Sequence, residues 1–366
     1  MTCIFILCGV LAAGLWPFHP PLNQVTWLGN DNGLRFGRHG TVLASGPFSS
    51  WLGEASFSLE IWLQPGLADD SNTILAFYTP QRPMQFSLHQ SGADLALRNG
   101  SPREHLQAKG ASVVYIDEIF RNRKLTLIAI ASGAQGTKVY IDGALATTAP
   151  HFRLSTKDFT GQLVIGTSPV VNDSWSGQLR GLAIYEQELT AAQVSRHFGT
   201  WTAKGRPDLA QNEHALALYL FDEHQGRLVH DRGGSGIDLR IPERYQIVHE
   251  KFLEVPWTEF YPGPNYWKNL GINVGGFIPL GFFFCEFLIS TGQLSRPAIA
   301  TIIFGSALSL TIEVLQAYLP TRDSGMTDVV TNTLGTCLGV ALCRWRASLV
   351  NKNSRADPLP CGFHNP

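Results

Sequence analysis

The most informative segment is residues 270–290, which read LGINVGGFIPLGFFFCEFLIS. Its only charged residue is Glu286, and aromatic and aliphatic side chains fall on every face of the implied helix. A helix that is apolar all round is buried in a large core or in a membrane. At 1.5 Å per residue, about 20 residues cross a hydrocarbon layer of about 30 Å. We therefore predict a transmembrane helix.

Two similar apolar runs follow at residues 297–319 and 326–345, and the N-terminus is also apolar. Residues 2–18 carry no charge and end in Trp16-Pro17-Phe18, as an interfacial anchor does. A signal peptide cleaved near Ala12 or Gly14 is the alternative, although no Lys or Arg precedes the apolar run. We predict a retained anchor and about four transmembrane helices in total.

Basic residues in short loops predict the orientation. The C-terminal tail carries Arg344, Arg346, Lys352 and Arg355, and Arg296 lies between the first two apolar runs. If both regions are cytoplasmic, the N-terminus is inside as well and residues 22–250 lie outside the cell. We predict a multi-pass protein of the cell membrane, with the lipid bilayer as a partner.

The composition narrows the class of protein. Charged residues make up 16% of the chain, against roughly 25% in ordinary soluble proteins. The net charge of −1 predicts no nucleic-acid partner, because such proteins need a basic surplus. Residues 9–284 contain no Cys, so we expect the external domain to fold without disulfides, and no Cys or His spacing suggests zinc.

Residues 22–250 have the pattern of a β sandwich. Apolar and polar residues alternate from 57 to 64, the period of a half-buried strand. Asp142-Gly143, between two strand-like runs, predicts a hairpin with a type I′ turn. Thr190-Ala-Ala-Gln193 is a capping box that predicts a short helix to about Phe198. Residues 216–221 predict a further strand.

Four motifs resemble the laminin-G-like, concanavalin-A-like jelly roll in order and spacing: Phe57-Ser-Leu-Glu-Ile-Trp62, Val139-Tyr-Ile-Asp-Gly143, Leu163-Val-Ile-Gly166 and Gly177-Gln-Leu-Arg-Gly-Leu-Ala-Ile-Tyr185. Residues 217–222 resemble a segment that often precedes this jelly roll, yet here they follow it. They complete the same sandwich as a permuted strand, or they begin a second, truncated repeat. The fold class is thus an all-β jelly-roll sandwich inserted in an α-helical membrane domain.

This resemblance implies a lectin, a glucanase or an adhesion module. The paired carboxylates of related glucanases are missing, and Glu60 stands alone on its strand, so we expect Glu60 to be solvated. We predict binding of a polysaccharide or another surface partner, without a cofactor, and the candidate ligand-binding residues are Trp62, Asp142 and Trp175. Asp222 and Asp231 are candidate Ca²⁺ ligands, with ordinary turn carboxylates as the alternative.

The apolar C-terminal region contains a set of polar residues that are costly in lipid: Asn273, Glu313, Gln316, Arg322, Asp328 and Asn332. Spacings of three and four residues place Glu313 with Gln316, and Asp328 with Asn332, on shared helix faces near the outer surface. An unpaired carboxylate there costs at least ~2.5 kcal/mol, so we predict that the set converges, with Arg322 neutralising Glu313 or Asp328. A ligand pocket and a network that only joins helices both remain open.

The same residues resemble the VanZ-like membrane family: Asn273 before Phe277-Ile-Pro-Leu-Gly281, Glu313-x-x-Gln316, Pro320-x-Arg322, and Ser324-x-x-x-Asp328-x-x-x-Asn332-x-x-Gly335-x-x-x-Gly339. Leu15-Trp-Pro-Phe18 is similar to the end of that family's first helix. The resemblance implies that the jelly roll is inserted in the first external loop. It also suggests a link to tolerance of the glycopeptide teicoplanin, with no established reaction.

Three functions follow from these patterns: a polysaccharide-binding envelope protein, a membrane enzyme that uses Glu313 or Asp328 as a general acid or base, and a structural anchor for an adhesion domain. The expected domains are an anchor (1–21), the jelly roll (22–250), a linker (251–269), the transmembrane helices 270–290, 297–319 and 326–345 within a domain spanning 270–346, and a cytoplasmic tail (347–366).

Overall fold

The computed structural model describes residues 1–49, 56–83, 85–100, 113–210, 213–249, 252–260, 263–292 and 294–355. The chain forms two compact units. Pro20–His249 is the β unit, and Met1–His19 with Glu250–Pro366 is the membrane unit. The N-terminal helix is therefore grouped with the C-terminal helices, although the whole β unit separates them in sequence.

In the residues that the structure describes, the β unit has two antiparallel sheets of eight strands each. The first has the order β1-β2-β13-β4-β9-β10-β11, with β14 paired to β13 beside β2. Its strands are β1 Val25–Trp27, β2 Leu34–Phe36, β4 Phe57–Pro65, β9 Thr126–Gly133, β10 Gly136–Ile141, β11 Ala144–Ala149, β13 Gly177–Tyr185 and β14 Ala215–Tyr219.

The second sheet has the order β15-β16-β3-β12-β5-β6-β7-β8. Its strands are β3 Val42–Ala44, β5 Thr73–Tyr78, β6 Phe86–Ser91, β7 Asp94–Asn99, β8 Val113–Ile116, β12 Gln162–Ile165, β15 Leu228–Val229 and β16 Leu239–Arg240. Strand β14 joins the first sheet and β16 joins the second through β3. The late strands therefore complete the sandwich, as the permuted arrangement predicts.

The core between the sheets follows from the alternation on β4. Its inward residues Phe57, Leu59, Ile61 and Leu63 are at most 1% exposed and belong to one large apolar cluster. The predicted hairpin turn between β10 and β11 is confirmed, because Asp142 and Gly143 both have positive φ, +50° and +81°.

One helix, α2 Ala191–Lys204, packs on the outer face of the first sheet. The capping box is present, since the Thr190 and Gln193 side chains each bond the other residue's backbone nitrogen. The predicted end at Phe198 is wrong. The helix continues because Trp201 is buried against the sheet, and it ends at Gly205 in the left-handed conformation.

The membrane unit contains α1 Thr2–Leu15, a single turn α3 Pro256–Glu259, α4 Pro264–Thr291, α5 Pro297–Gln316 and α6 Met326–Arg355. By length and composition α4, α5 and α6 can cross a membrane, while α1 is apolar but shorter. On α6, a Cβ at Gly335 or Gly339 would lie 2.2 Å from a backbone oxygen of α4. These two glycines thus allow close helix packing.

Candidate functional site

Helices α1, α4, α5 and α6 and the loop before α6 surround a cavity of about 610 Å³. All of the predicted polar residues of this region line it: Asn273, Glu313, Gln316, Arg322, Asp328 and Asn332. Apolar side chains, among them Val10, Phe277 and Ile312, form much of the remaining wall. The result is an amphipathic cavity within the membrane unit.

The loop between α5 and α6 brings the charged residues of the cavity together. Glu313 lies near the end of α5 and is 1% exposed. The loop that follows folds back on it, because the Ser324 hydroxyl donates to the Glu313 backbone oxygen (2.8 Å) and the Gly325 N–H donates to the Glu313 carboxylate (2.9 Å). Asp328 then lies in the first turn of α6, where the helix dipole favours a negative charge.

Arg322 binds the end of α1 instead of a carboxylate. Its guanidinium donates to the backbone oxygen of Trp16 at 2.8 and 2.9 Å and to that of Ala13 at 3.3 Å. A helix leaves its last carbonyl groups without partners inside the helix, and these carry partial negative charge. The predicted ion pair of Arg322 with Glu313 or Asp328 is therefore wrong. Among the described residues, the Arg322 guanidinium contacts the C-terminus of α1 instead.

Two buried acceptors in the cavity wall have no hydrogen-bond partner among the described residues, Gln316 Oε1 and Asn332 Oδ1. The Gln316 amide nitrogen donates to the Gly14 oxygen (2.7 Å), which fixes its oxygen as the unpaired atom. The Asn332 amide nitrogen donates to Ser309 Oγ (2.9 Å). Gln316 and Asn332 are 8% and 5% exposed. An unpaired buried polar atom costs about 1–3 kcal/mol, so this wall favours a ligand that donates hydrogen bonds.

The β unit also buries charged groups, under α2. Glu60 is fully buried, and its carboxylate contacts His197 Nδ1 (2.9 Å), the Tyr185 hydroxyl (2.9 Å) and Trp201 Nε1 (3.0 Å). The expectation that Glu60 is solvated is wrong. The helix α2 covers this part of the sheet and supplies both His197 and Trp201 as partners.

A second carboxylate closes this buried cluster. Glu213 contacts His197 Nε2 (3.4 Å), forms an ion pair with Arg196, and accepts from the Ala210 N–H (2.8 Å). Burial raises the pKa of Glu213, but the hydrogen bonds, above all from Arg196, lower this pKa to about 2. Burial lowers the pKa of His197, but Glu60 and Glu213 outweigh it and raise this pKa overall. The arrangement fixes α2 to the sheet with its polar groups paired.

The three candidate ligand-binding residues of the jelly roll differ in their burial. Trp175 is fully buried, with its indole nitrogen donating to Gln90 (2.9 Å), so it cannot stack on a sugar. Trp62 is half-buried and packs 6.1 Å from Trp201, centroid to centroid. Asp142 accepts from the Leu127 N–H (2.9 Å) in the hairpin turn. Burial therefore excludes Trp175 from a binding surface, whereas Trp62 and Asp142 both adjoin Leu127.

The two candidate Ca²⁺ ligands already have protein partners. Asp222 pairs with Arg232 (3.2 Å). The Asp231 carboxylate accepts from the backbone nitrogens of Leu218, Gly233 and Gly236 and from the Ser235 hydroxyl, at 2.7–2.9 Å. Within the described ranges, no three His, Cys, Asp or Glu side chains are grouped as metal ligands. Asp231 thus organises the turn at 231–236, and Asp222 contacts the Arg232 side chain.

Two parts of these clusters escaped the sequence reasoning. Ser309 lies four residues before Glu313 and seven before Gln316, so a polar stripe on α5 could have revealed it. His197 lies four residues before Trp201 on one face of α2. Both side chains carry ring nitrogens, so this spacing indicates a helix face that needs a polar partner on the surface beneath it.

Comparison with known families divides the chain in the same way. Residues 29–195 match the model of the concanavalin A-like lectin/glucanases superfamily, and residues 216–348 match that of VanZ/LLP1. The second match begins within the β unit. A search of curated proteins found no match.

Solved structures include similar jelly rolls. A candidate carbohydrate binding protein from Bacteroides ovatus is 13% identical with a TM-score of 0.41, and the alignment covers 58% of this chain and 58% of that one. A heptameric SAP-like pentraxin from Limulus polyphemus is 16% identical with a TM-score of 0.36, over 62% of this chain and 95% of its own. Such values say nothing about the ligand of this chain. The chain is thus similar to the concanavalin A-like lectin/glucanases superfamily over its jelly roll and to VanZ/LLP1 over its membrane helices.

Proposed function

We propose that the membrane unit binds the polar end of an amphipathic envelope ligand in the cavity between α1, α4, α5 and α6. The observation that carries this proposal is the pair of buried, unpaired acceptors, Gln316 Oε1 and Asn332 Oδ1, in the cavity wall. A network that served only to join helices would be expected to satisfy both atoms, since each unpaired atom lowers stability.

The lining indicates the chemistry of this ligand. Glu313, Asp328 and the two amide oxygens are acceptors, and Arg322, the one Arg or Lys in the described lining, directs its Nε and one terminal nitrogen at α1. The polar head should therefore donate hydrogen bonds, as hydroxyl groups or an ammonium group do. The apolar wall suits an alkyl chain. A sugar-bearing or amine-bearing lipid precursor of the envelope meets both requirements, whereas a fully ionised phosphate head does not.

Three probes with the same octyl chain test this proposal: octyl glucoside, octylammonium and octyl phosphate. Each is added to the full chain in nanodiscs, and the thermal unfolding of the membrane unit is followed. We expect the first two probes to raise the unfolding temperature, because binding to the folded state alone stabilises it. Octyl phosphate should have little effect, since its ionised head only accepts hydrogen bonds.

The matched variants are the double variant Gln316→Leu/Asn332→Leu and the control Thr333→Val. Thr333 hydrogen-bonds Ser306 across the α5–α6 contact (3.1 Å), and it is not among the residues that line the cavity. We expect the double variant to lose the stabilisation by octyl glucoside and the control to keep it. Equal stabilisation in all three proteins would contradict a specific site.

We further propose that the jelly roll is extracytoplasmic and binds a surface polysaccharide, and that the C-terminus is cytoplasmic. The basic residues of the tail, together with Arg296, support this orientation. Reporter tags at the exposed Gln135 and at the C-terminus test it, and a cytoplasmic Gln135 would contradict it.

A link to teicoplanin tolerance rests on the VanZ match alone. It is tested by the growth of cells that carry the Gln316→Leu/Asn332→Leu variant.

A catalytic role for Glu313 is the competing hypothesis, because its carboxylate lines the same cavity. The variant Glu313→Gln keeps an acceptor oxygen but removes the titrating group. Full biological activity in this variant favours binding over chemistry. Loss of activity with unchanged octyl glucoside binding favours an enzyme.

A further inference from the structure

The outer face of the first sheet has two different halves. On β4, Glu60 lies under α2, whereas Gln64, four residues further along the same face, lines an open groove of about 470 Å³. The other polar groups of this groove include Arg35, Arg123 and Gln178. On this face the helix α2 thus covers β4 near Glu60, and the groove lies at the end of β4 near Gln64.

The strand register places three of these side chains in a row. Gln178 on β13 pairs with Arg35 on β2 on one side and with Gln64 on β4 on the other. Directly paired residues project from the same face of a sheet, and neighbouring strands are about 4.8 Å apart. The row Arg35–Gln178–Gln64 therefore spans about 10 Å, or two strand spacings.

Arg123 extends this row beyond β4. The Gln64 amide nitrogen donates to the Arg123 backbone oxygen (2.9 Å), and the Arg123 guanidinium donates to the Gly66 oxygen (3.3 Å). The groove therefore has one arginine at each end and two amides between them. We call this set the arginine–glutamine row.

The charge of the row is uncompensated within the described part of the chain. Arg35 and Arg123 form no ion pair there, and no Asp or Glu lines the groove. By contrast, Arg180, two residues after Gln178 on β13, is paired with Asp31 (3.0 Å). A guanidinium binds carboxylate or phosphate groups in a bidentate manner, and amide side chains bind hydroxyl groups.

We infer that the arginine–glutamine row binds an anionic glycan, a polymer that carries carboxylate or phosphate groups. Arg35 and Arg123 bind two acidic groups, while Gln64 and Gln178 hydrogen-bond the hydroxyl groups between them. This inference rests on the proposal that the jelly roll binds a surface polysaccharide, and it adds the place and the charge of the ligand.

The test uses the full chain in nanodiscs of zwitterionic lipid and three polymers: polygalacturonate, a glycerol-phosphate polymer and neutral dextran. The double variant Arg35→Gln/Arg123→Gln removes both charges at exposed positions, so the fold should persist. The control is Arg153→Gln. Arg153 is also exposed, but it adjoins Leu154, which contacts Ser132 near Phe57, at the opposite end of β4.

We expect wild type to bind at least one anionic polymer and not dextran, with a preference between carboxylate and phosphate that identifies the source. The double variant should bind roughly tenfold more weakly or worse, and the control should match wild type. Unchanged binding by the double variant would overturn the inference. Binding of dextran alone would overturn it while keeping the jelly roll as a polysaccharide binder, and binding of no polymer would overturn both.

Discussion

Two clusters of buried polar groups, one in each unit, differ in how their hydrogen bonds are satisfied. Under α2, the Glu60 carboxylate, His197 and Glu213 all have hydrogen-bond partners. In the membrane unit, Gln316 and Asn332 each leave an acceptor unpaired beside a cavity. The first cluster contributes to fixing a helix, whereas the second leaves hydrogen-bonding capacity for another molecule. Burial of polar groups is thus common to both units, and only unpaired groups beside a cavity indicate a ligand.

The largest effect should come from Glu60→Ala. It leaves buried donors on Tyr185, Trp201 and His197, so the free energy of unfolding of the β unit should fall by about 3–5 kcal/mol. Denaturant unfolding of the full chain in nanodiscs, followed by tryptophan fluorescence, measures this. The control is Glu186→Ala, at an exposed position directly after β13, the strand that pairs with β4. Similar stability of the two variants would remove the contrast between the units.

Acid should weaken the same cluster. The pKa of Glu213 is lowered to about 2 from 4.5, so its contribution to stability is present above pH 4.5 and is lost as the pH falls toward 2. The contribution is up to about 3 kcal/mol. We expect Glu213→Gln to be less stable at pH 6 and to show a flatter dependence between pH 5 and about 3. Parallel pH profiles of variant and wild type would contradict this role.

Removal of a buried polar group should lower stability less in the membrane cluster than in the β cluster. Asn332→Leu removes an unpaired acceptor together with one hydrogen bond to Ser309. We expect the free energy of unfolding of the membrane unit to change by only about 1 kcal/mol, while octyl glucoside binding is lost. Detergent-induced unfolding measures the first quantity. A loss as large as that of Glu60→Ala would show that Asn332 is mainly structural.

The smallest effect is expected for Arg322→Gln. The variant removes the positive charge that contacts the C-terminus of α1. The free energy of local opening of that helix should therefore fall by about 0.5–1 kcal/mol. Hydrogen exchange of the amides near Leu15 reports this opening, with the amides of α5 as an internal reference. Unchanged exchange would mean that Arg322 does not hold α1.

Local patterns predicted most of the fold. Alternation on β4, the Asp142-Gly143 turn, the capping box at Thr190 and the apolar runs each correspond to an observed element. These signals depend on neighbours within a few residues. The continuation of α2 to Lys204 did not follow from them, because it depends on packing of Trp201 against a distant strand.

The convergence of the polar residues followed from spacing and from the cost of charge in lipid, but their partners did not. Arg322 binds the end of α1, some 300 positions away in sequence. Glu60 is buried by a helix whose docking no strand pattern reveals. In both cases a short-range rule identified the residue, and tertiary structure decided what it contacts.

The most direct test of the cavity as a ligand site is native mass spectrometry of the full chain extracted from cell membranes. We predict one bound amphiphile with hydroxyl or ammonium groups in wild type and in Thr333→Val, and its loss in Gln316→Leu/Asn332→Leu. The same bound species in all three proteins, or none in wild type, would contradict the account.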